Sequence, residues 1–437
     1  MSSSPSPLRI AVVGGGIAGL AAAVGILKRK KEGANVDLQV YETASRFGEI
    51  GAGVSLGPNA QVTLELLGVG KEMESIAGWA VGAEKDLWFD IYAGDKAHEG
   101  QHGGMVTGHQ AGTGAVHRAD LLDLLIRQIP PDICRFRHRL VSYTPHPSGS
   151  RSGVTLTFED PDIADVEADV LIASDGINSK VRRRIYERKG LEVAKQQAVY
   201  SEWVAWRGMI DVARYQEAMK GRRKSVMLLG KGKHILTFPV RRAKTINIVG
   251  FVADPERKKL GTHTSNWSEF RPKEEMLEDF ADMDDASLAL LKEIEKPSIW
   301  GIFRAPVLER AVDERVVLIG DAAHAMTPHQ GSGAGQAIED ALFISAFLTS
   351  DGVLNASKGD RAEKIQSAIE LFEEIRHPRS SKVQSTSDEA GQLYEYNGAE
   401  KDDVRRITSN LQQRTKWIWE FDVEGELKKA LERLNGA

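Results

Sequence analysis

The chain has 437 residues, 41% of them hydrophobic and 27% charged, an ordinary globular balance with room for about two or three domains. Its formal net charge of −5 argues against a nucleic-acid or anionic-membrane partner, and no apolar run approaches the ~18 residues of a membrane helix. The one cysteine, Cys134, excludes an intrachain disulfide framework and cysteine-based metal clusters. With no signal-peptide pattern, the expectation is a cytoplasmic protein.

Residues 1–7 are rich in Ser and Pro and read as a disordered tail. The first informative stretch is 10–19, IAVVGGGIAG. An apolar strand runs into Gly14, Gly16 and Gly19, the G-x-G-x-x-G spacing, and 20–30 reads as a helix. Gly14 permits the tight turn, Gly16 keeps side-chain atoms away from a pyrophosphate, and Gly19 lets helix and strand pack closely. The helix start then offers free N–H groups and a partial positive charge to phosphates. Residues 36–41 alternate as a second strand ending in Glu42, whose carboxylate can accept hydrogen bonds from a ribose diol. An acid there disfavours a 2′-phosphate, which leaves NAD or FAD.

Residues 45–59 are dense in glycine, and Gly48, Gly51 and Gly53 suggest backbone close to something flat. Residues 60–67 have helical spacing. Residues 99–114 read as a flexible loop, whose histidines His102 and His109, with His98 just before, lack companion ligands, so no metal is expected. Residues 116–129 read as a helix with Arg118 at its start. Residues 154–158 alternate as an exposed-edge strand, and 168–173 form a buried strand leading into Ser174-Asp175-Gly176 and a helix over 179–186. The basic run Arg182-Arg183-Arg184 reads as a solvated helix face.

From about Glu187 the texture changes. Trp203, Trp206 and Trp267 appear, and 226–229, 234–240 and 245–252 alternate like strands of a separate antiparallel sheet. Residues 273–294 read as one amphipathic helical stretch. A continuous apolar strand at 315–319 ends in Gly320-Asp321, and the first domain resumes there. Helices follow at 343–348 and 365–375, and 384–437 reads as charged helices packing over the outside. The expected fold is α/β. A discontinuous Rossmann-like domain (8–186 and 301–385) carries an inserted antiparallel-sheet substrate domain (187–300) and a C-terminal helical segment (386–437).

Three separated motifs then identify a relationship. The opening fingerprint with Glu42, the LIASDGINSKVR segment at 171–182, and VLIGDAAH at 317–324 running on through Thr327-Pro328-His329-Gln330-Gly331 resemble, in order and spacing, the signatures of single-component FAD-dependent aromatic hydroxylases, the 4-hydroxybenzoate hydroxylase group. Within that group GEIGAGVSLGPN, WVAWRG at 203–208, Phe238-Pro239-Val240 and WIWEFDV at 417–423 look most like salicylate hydroxylases and their relatives. The resemblance implies a non-covalent FAD, NADH or NADPH as co-substrate, and O2. It also implies that Asp321 holds the ribityl chain, that Arg118 contacts the cofactor, and that Asp175 lies near the pyrophosphate and the visiting nicotinamide coenzyme. A turn acid capping the next helix is the plainer role for Asp175. Gly333 and Ala334 open a helix whose N–H groups can face the negative charge of a reduced flavin.

The chemistry implied is attack by an electrophilic flavin hydroperoxide on a phenol, with loss of carbon dioxide if the substrate is salicylate. A base is then needed near the phenol, and His329 after Pro328 is the candidate, with an imidazole that ordinarily titrates near neutral pH. His324 reads as structural. Met227, His234 and Phe238 are candidates for the pocket's far wall, and Arg207 or Arg241 for the partner of the substrate carboxylate. Hydroxylases of 3-hydroxybenzoate, 4-hydroxybenzoate or 6-hydroxynicotinate, a reductase of the same fold without oxygen chemistry, and a non-catalytic flavin-binding protein remain alternatives. The expected partners are a small aromatic molecule and no nucleic acid or membrane, with the chain a monomer or homodimer.

Overall fold

The computed structural model describes residues 6–48, 53–77, 82–146, 153–259, 268–357 and 359–436. Gly51, Trp267 and residues 1–5 of the expected tail lie outside them. Two sheets organise the chain. In the first, the strand Leu8–Val13 lies parallel to Val36–Glu42 on one side and to Val170–Ala173 on the other. Cys134–Phe136 extends one edge and Val316–Leu318 with Val312–Asp313 the other. These strands are almost continuously apolar because both faces are covered, one by helices and the other largely by the three-stranded sheet Leu140–His146, Gly153–Phe158 and Val166–Ala168. The helix Ile17–Lys31 and the helix Gly333–Leu348 pack together over one face.

The second sheet has eight strands in the order Ser268–Phe270, Ser298–Arg304, Val199–Asp211, Thr245–Ala253, Lys233–Val240, Val226–Gly230, Leu87–Ala93, His102–Thr107. Pairing is antiparallel except between Val226–Gly230 and Leu87–Ala93. Strand alternation gives the sheet two faces. Trp206, Ile235, Ile246 and Ile248 pack under short helices on one face, and Trp203, Arg207, Leu236, Phe238, Val249 and Phe251 look toward the first domain from the other.

Several sequence expectations need correcting. Leu87–Ala93 and His102–Thr107 belong to the substrate sheet, so 8–186 does not stay within one domain, and 102–107 is strand rather than loop. Ser298–Arg304 also belongs to that sheet, which puts the return to the first domain later than residue 301. Gly153–Phe158 is the middle strand of a three-stranded sheet, with neighbours on both sides. The stretch 273–294 is two helices, Lys273–Asp279 and Asp285–Lys292, the second capped by the Asp284 side chain. The helix Arg361–Tyr394 runs straight through Pro378 and across the expected boundary at 386.

That long helix is held by a buried ion cluster. Arg376, 1% exposed, donates to Asp340 Oδ1 at 2.9 Å, to Glu339, and to Gln336 Oε1 at 2.8 Å. Arg379 grips both oxygens of Glu339 at 2.8 and 2.9 Å. Burial opposes the charge on Glu339 and Asp340, but the facing cations and hydrogen bonds hold both carboxyls below the usual range. Removing one partner leaves a buried charge uncompensated. Arg376→Met should therefore destabilise the fold by about 3–5 kcal/mol in urea denaturation. With depressed carboxyl pKa values the cluster's contribution is present above the ordinary carboxylate range and lost as pH falls below it. A midpoint within experimental error of wild type would show that the cluster is not part of what holds the helix.

Candidate active site

The two sheets face one another across a cavity of about 330 Å³. One wall comes from the fingerprint and the glycine-rich helix start: Gly16, Ile17, Ser174, Gly176, Asp321, Gly331, Ser332, Gly333 and Ala334. The other comes from the second sheet, with Trp88, Phe89, Arg207, Leu236, Phe238, Val249 and Phe251.

The fingerprint wall fits a dinucleotide. Gly14 has φ +106°, and any side chain on it would strike Ser174. Gly19 packs directly on the Gly14 carbonyl, whereas a Cβ on Gly16 would meet nothing within 4 Å among the described residues, so this is the open face. The helix Ile17–Lys31 starts at Gly16 with no side-chain cap among the described residues, leaving its first N–H groups available. Glu42 lies at the end of its strand, its carboxylate accepting from Gly15 N at 2.6 Å and Ala44 N at 2.7 Å. The helix Gly333–Leu348 also begins without a side-chain cap, facing the same cavity.

The Gly320-Asp321 turn is set from below. Gly320 has φ +58°, and its N–H donates to Asp340 Oδ2 at 3.1 Å. His324 also bonds that oxygen, at 2.6 Å. Arg182, 1% exposed, donates to the carbonyls of Ala322 at 2.8 Å and Asp321 at 3.3 Å. It is therefore no part of a solvated face; it ties the Ser174-Asp175-Gly176 junction to the Asp321 turn. Asp321 itself projects into the cavity.

Asp175 turns away from the cavity. Its carboxylate accepts from the Ser179 hydroxyl at 2.6 Å, Lys180 N at 2.7 Å and Val181 N at 3.2 Å, so it caps the helix Lys180–Arg188. Ser174 and Gly176 line the cavity in its place.

His329 is 1% exposed and lines the cavity in the short 3₁₀ turn Pro328–Gln330. Neither ring nitrogen has a hydrogen-bond partner among the described residues. Trp203, Phe251 and His234 surround the ring with centroids at 4.8, 4.9 and 5.3 Å, and a Cβ on Gly391 would come within 2.5 Å of it. The Tyr394 hydroxyl donates to the His329 carbonyl at 2.8 Å, fixing the turn. Burial, and secondarily His234, lower the His329 pKa well below 6.5, so the imidazole is neutral at physiological pH. The expected near-neutral titration of this base is corrected accordingly.

Arg118 and Arg207 both reach the cavity. Arg207 stacks over Trp300 at 4.9 Å, and burial together with the nearby Arg118 lowers its pKa to about 10, leaving it charged. Two cations lining one cavity favour an anion within it. Arg241, the other arginine expected at the substrate, sits instead in a turn with φ +51° and lies 3.5 Å from His117, outside the cavity lining.

Of the expected far wall, Phe238 lines the cavity and packs on Gly53, consistent with the close backbone approach expected there. Met227 does not. It pairs with Leu236 across the strands but is fully buried under other side chains. His234 stands one layer back, behind His329, with Nδ1 3.1 Å from Glu395 Oε1. Sequence reasoning missed Leu236, Val249 and Phe251, though the period of two that includes Phe238 carries Leu236 with it. It also missed Trp88 and Phe89, for which nothing local signals a place at the site. The histidines His98 and His102 are engaged with Asp95 and Asp90 at 2.7 and 2.6 Å.

Comparison with known proteins agrees with this geometry. A family model described as "FAD binding domain" matches residues 125–383. The chain is 36% identical to a salicylate hydroxylase of Pseudomonas putida, over 99% of this chain and 97% of that one. It is 32% identical to 6-methylsalicylate 1-monooxygenase of Aspergillus terreus, over 97% and 91%. A solved structure titled as a salicylate hydroxylase substrate complex superposes with a TM-score of 0.83 at 34% identity, covering 97% of this chain and 98% of that one. The match across the whole chain and the cavity that joins its two sheets together place this protein in the FAD-dependent, salicylate hydroxylase-like family of flavoprotein monooxygenases.

Proposed function

We propose that the protein hydroxylates a phenolic aromatic acid, with salicylate converted to catechol and carbon dioxide as the best-supported case, using NADH or NADPH and O2. The observation that carries this is a single cavity with a charged arginine, Arg207, and a buried neutral imidazole, His329, on its walls. One suits a carboxylate and the other a phenolic proton. The residues fit FAD: Gly14, Gly16, Gly19 and Glu42 for the adenosine and pyrophosphate, Asp321 for the ribityl chain, and Gly333 and Ala334 for the ring's pyrimidine edge. Arg118 adds positive charge on the same wall. When bound and reduced by the nicotinamide coenzyme, the flavin supplies an electrophilic oxygen atom taken from O2.

The chain's own part is then specific. Arg207 holds the carboxylate, and the apolar wall of Leu236, Phe238, Val249 and Phe251 excludes water from the ring. His329 accepts the phenolic proton, which raises electron density at the carbon to be attacked. With salicylate that carbon bears the carboxylate, so rearomatisation expels carbon dioxide.

The test is direct. Purified protein should be yellow with FAD. NADH oxidation and O2 uptake should rise together when salicylate is added, with catechol identified by mass. Hydroxylated benzoate isomers and 6-hydroxynicotinate in the same assay distinguish the related substrates. NADH oxidation without O2 uptake would overturn the monooxygenase mechanism proposed for this site. Asp321→Ala should weaken FAD retention by about tenfold to a hundredfold, the loss expected when hydrogen bonds to a charged group are removed. Unchanged FAD affinity would remove Asp321 from the cofactor site.

A further inference from the structure

One tryptophan in the cavity wall, Trp88, is backed by a second, Trp419, supplied by the C-terminal segment. Trp88 lines the cavity and is only 6% exposed. The register with the neighbouring strand shifts between Leu87 and Phe89, and both Trp88 and Phe89 reach the lining, as a local irregularity in a strand permits. Trp88 packs edge-on against Phe89 at 4.8 Å and against Trp419 at 5.4 Å.

Trp419 is not part of the cavity lining, but it is buried and tightly packed. It ends the helix Val404–Trp419. Gly57 and Gly108 lie against its indole, and a Cβ on either would come within 2.7 or 2.5 Å of the ring. Arg379 donates to the Ile418 carbonyl at 2.7 Å while bound to Glu339, which anchors this turn to the buried ion cluster. Gln412 of the same helix makes two hydrogen bonds with the Thr107 backbone, at 2.7 and 2.8 Å. Trp88 therefore has no room to swing outward.

We propose that Trp88, held in place by Trp419, is the specificity-determining stop of the substrate cavity, so that one-ring hydroxy acids fit and fused two-ring hydroxy acids are rejected. This rests on the reading of the substrate as an aromatic acid. Trp88 is the selecting residue and Trp419 a positioning residue that acts through it. The C-terminal segment, expected to pack over the outside, thereby acts in substrate selection.

The experiment compares salicylate with 1-hydroxy-2-naphthoate in the FAD-loaded enzyme. Binding is followed by perturbation of the flavin absorbance and turnover by catechol-type product, in wild type, Trp88→Ala, Trp419→Ala and Trp419→Phe. The ratio of kcat/KM for the naphthoate to that for salicylate should rise at least about tenfold in both alanine variants, a scale set by adding or removing space in an apolar pocket. Trp419→Phe should return the ratio toward wild type, which a general loss of packing would not do. Equal losses on both acids in Trp88→Ala would overturn the stop. A changed ratio in Trp88→Ala with none in Trp419→Ala would overturn the positioning role. A wild type that handles both acids equally leaves the aromatic-acid reading standing and overturns this inference alone. No flavin perturbation with either acid or with the other hydroxy acids refutes both.

Discussion

Replacing Arg207 by glutamine should raise the KM for salicylate by roughly thirtyfold to a hundredfold, with a smaller change in kcat. The estimate follows from losing a charge-assisted contact to a carboxylate in a poorly hydrated site, about 2–3 kcal/mol. The guanidinium stands over Trp300 in the cavity wall, and its Nε has no hydrogen-bond partner among the described residues. Lys is a poor substitute, because it presents a point charge without the planar fork and does not stack on the indole in the same way. The control is salicylamide, which lacks the negative charge. Wild type should prefer salicylate over the amide strongly, and Arg207→Gln should lose most of that preference. An unchanged preference would mean that the carboxylate is held elsewhere.

His329→Ala should lower turnover by about 10²–10⁴-fold while FAD stays bound. None of the residues assigned to the flavin's phosphates and ribityl chain depends on the imidazole. NADH oxidation that continues without hydroxylation should release hydrogen peroxide, so the peroxide-to-catechol ratio rises. The pH profile is the sharper readout. Burial, with His234 adding to it, depresses the His329 pKa far below 6.5, so the ring remains an acceptor throughout the neutral range. The acid limb of the wild-type kcat/KM should therefore lie well below pH 6.5, and it should disappear or move in the variant. The same shift has a stability consequence. The unfolded chain binds a proton at His329 near pH 6.5 and the folded chain does not, so stability falls as pH drops below that value. His329→Ala should flatten this part of the stability curve. A variant with normal coupling and an unchanged profile would reduce His329 to a packing residue and move the search for the base to His234.

His234 would be a weaker base for a physical reason. It has no cavity surface, its pKa is pushed down to about 3 by burial, and its Nδ1 is engaged with Glu395. Glu395, raised by burial to about 8, is largely a neutral acid at pH 7. The pair is thus a neutral, buried support behind His329, which fits a role in fixing the orientation of the neighbouring ring.

What the sequence determined by itself was whatever depends on neighbours a few residues apart. The strand–glycine–helix junction at 10–19 and the acid at the end of the next strand are local, because turn geometry and helix-start chemistry act within one or two turns of chain. The same holds for Gly320-Asp321 and for the helix opened by Gly333. The family resemblance carried by three such junctions then supplied the cofactor and the class of reaction. Tertiary structure decided everything set by packing across the chain. Whether Asp175 faces a ligand or caps its own helix depends on where Ser179, Lys180 and Val181 point their donors. Arg182 reads as surface in a basic run, but is buried because two carbonyls near Asp321 need its donors. Arg207 and Arg241 look alike in sequence. Strand alternation turns Arg207 toward the cavity, while Arg241 falls in the turn after the strand Lys233–Val240. Pro378 should interrupt a solvent-exposed helix, yet Arg361–Tyr394 continues because Arg376, Arg379 and Gln384 anchor both sides of it. Trp88 and Trp419 are 331 positions apart, and no periodicity links them. Only the parallel docking of Leu87–Ala93 beside Val226–Gly230, and of the helix Val404–Trp419 against His102–Thr107, brings their rings into contact beside the cavity.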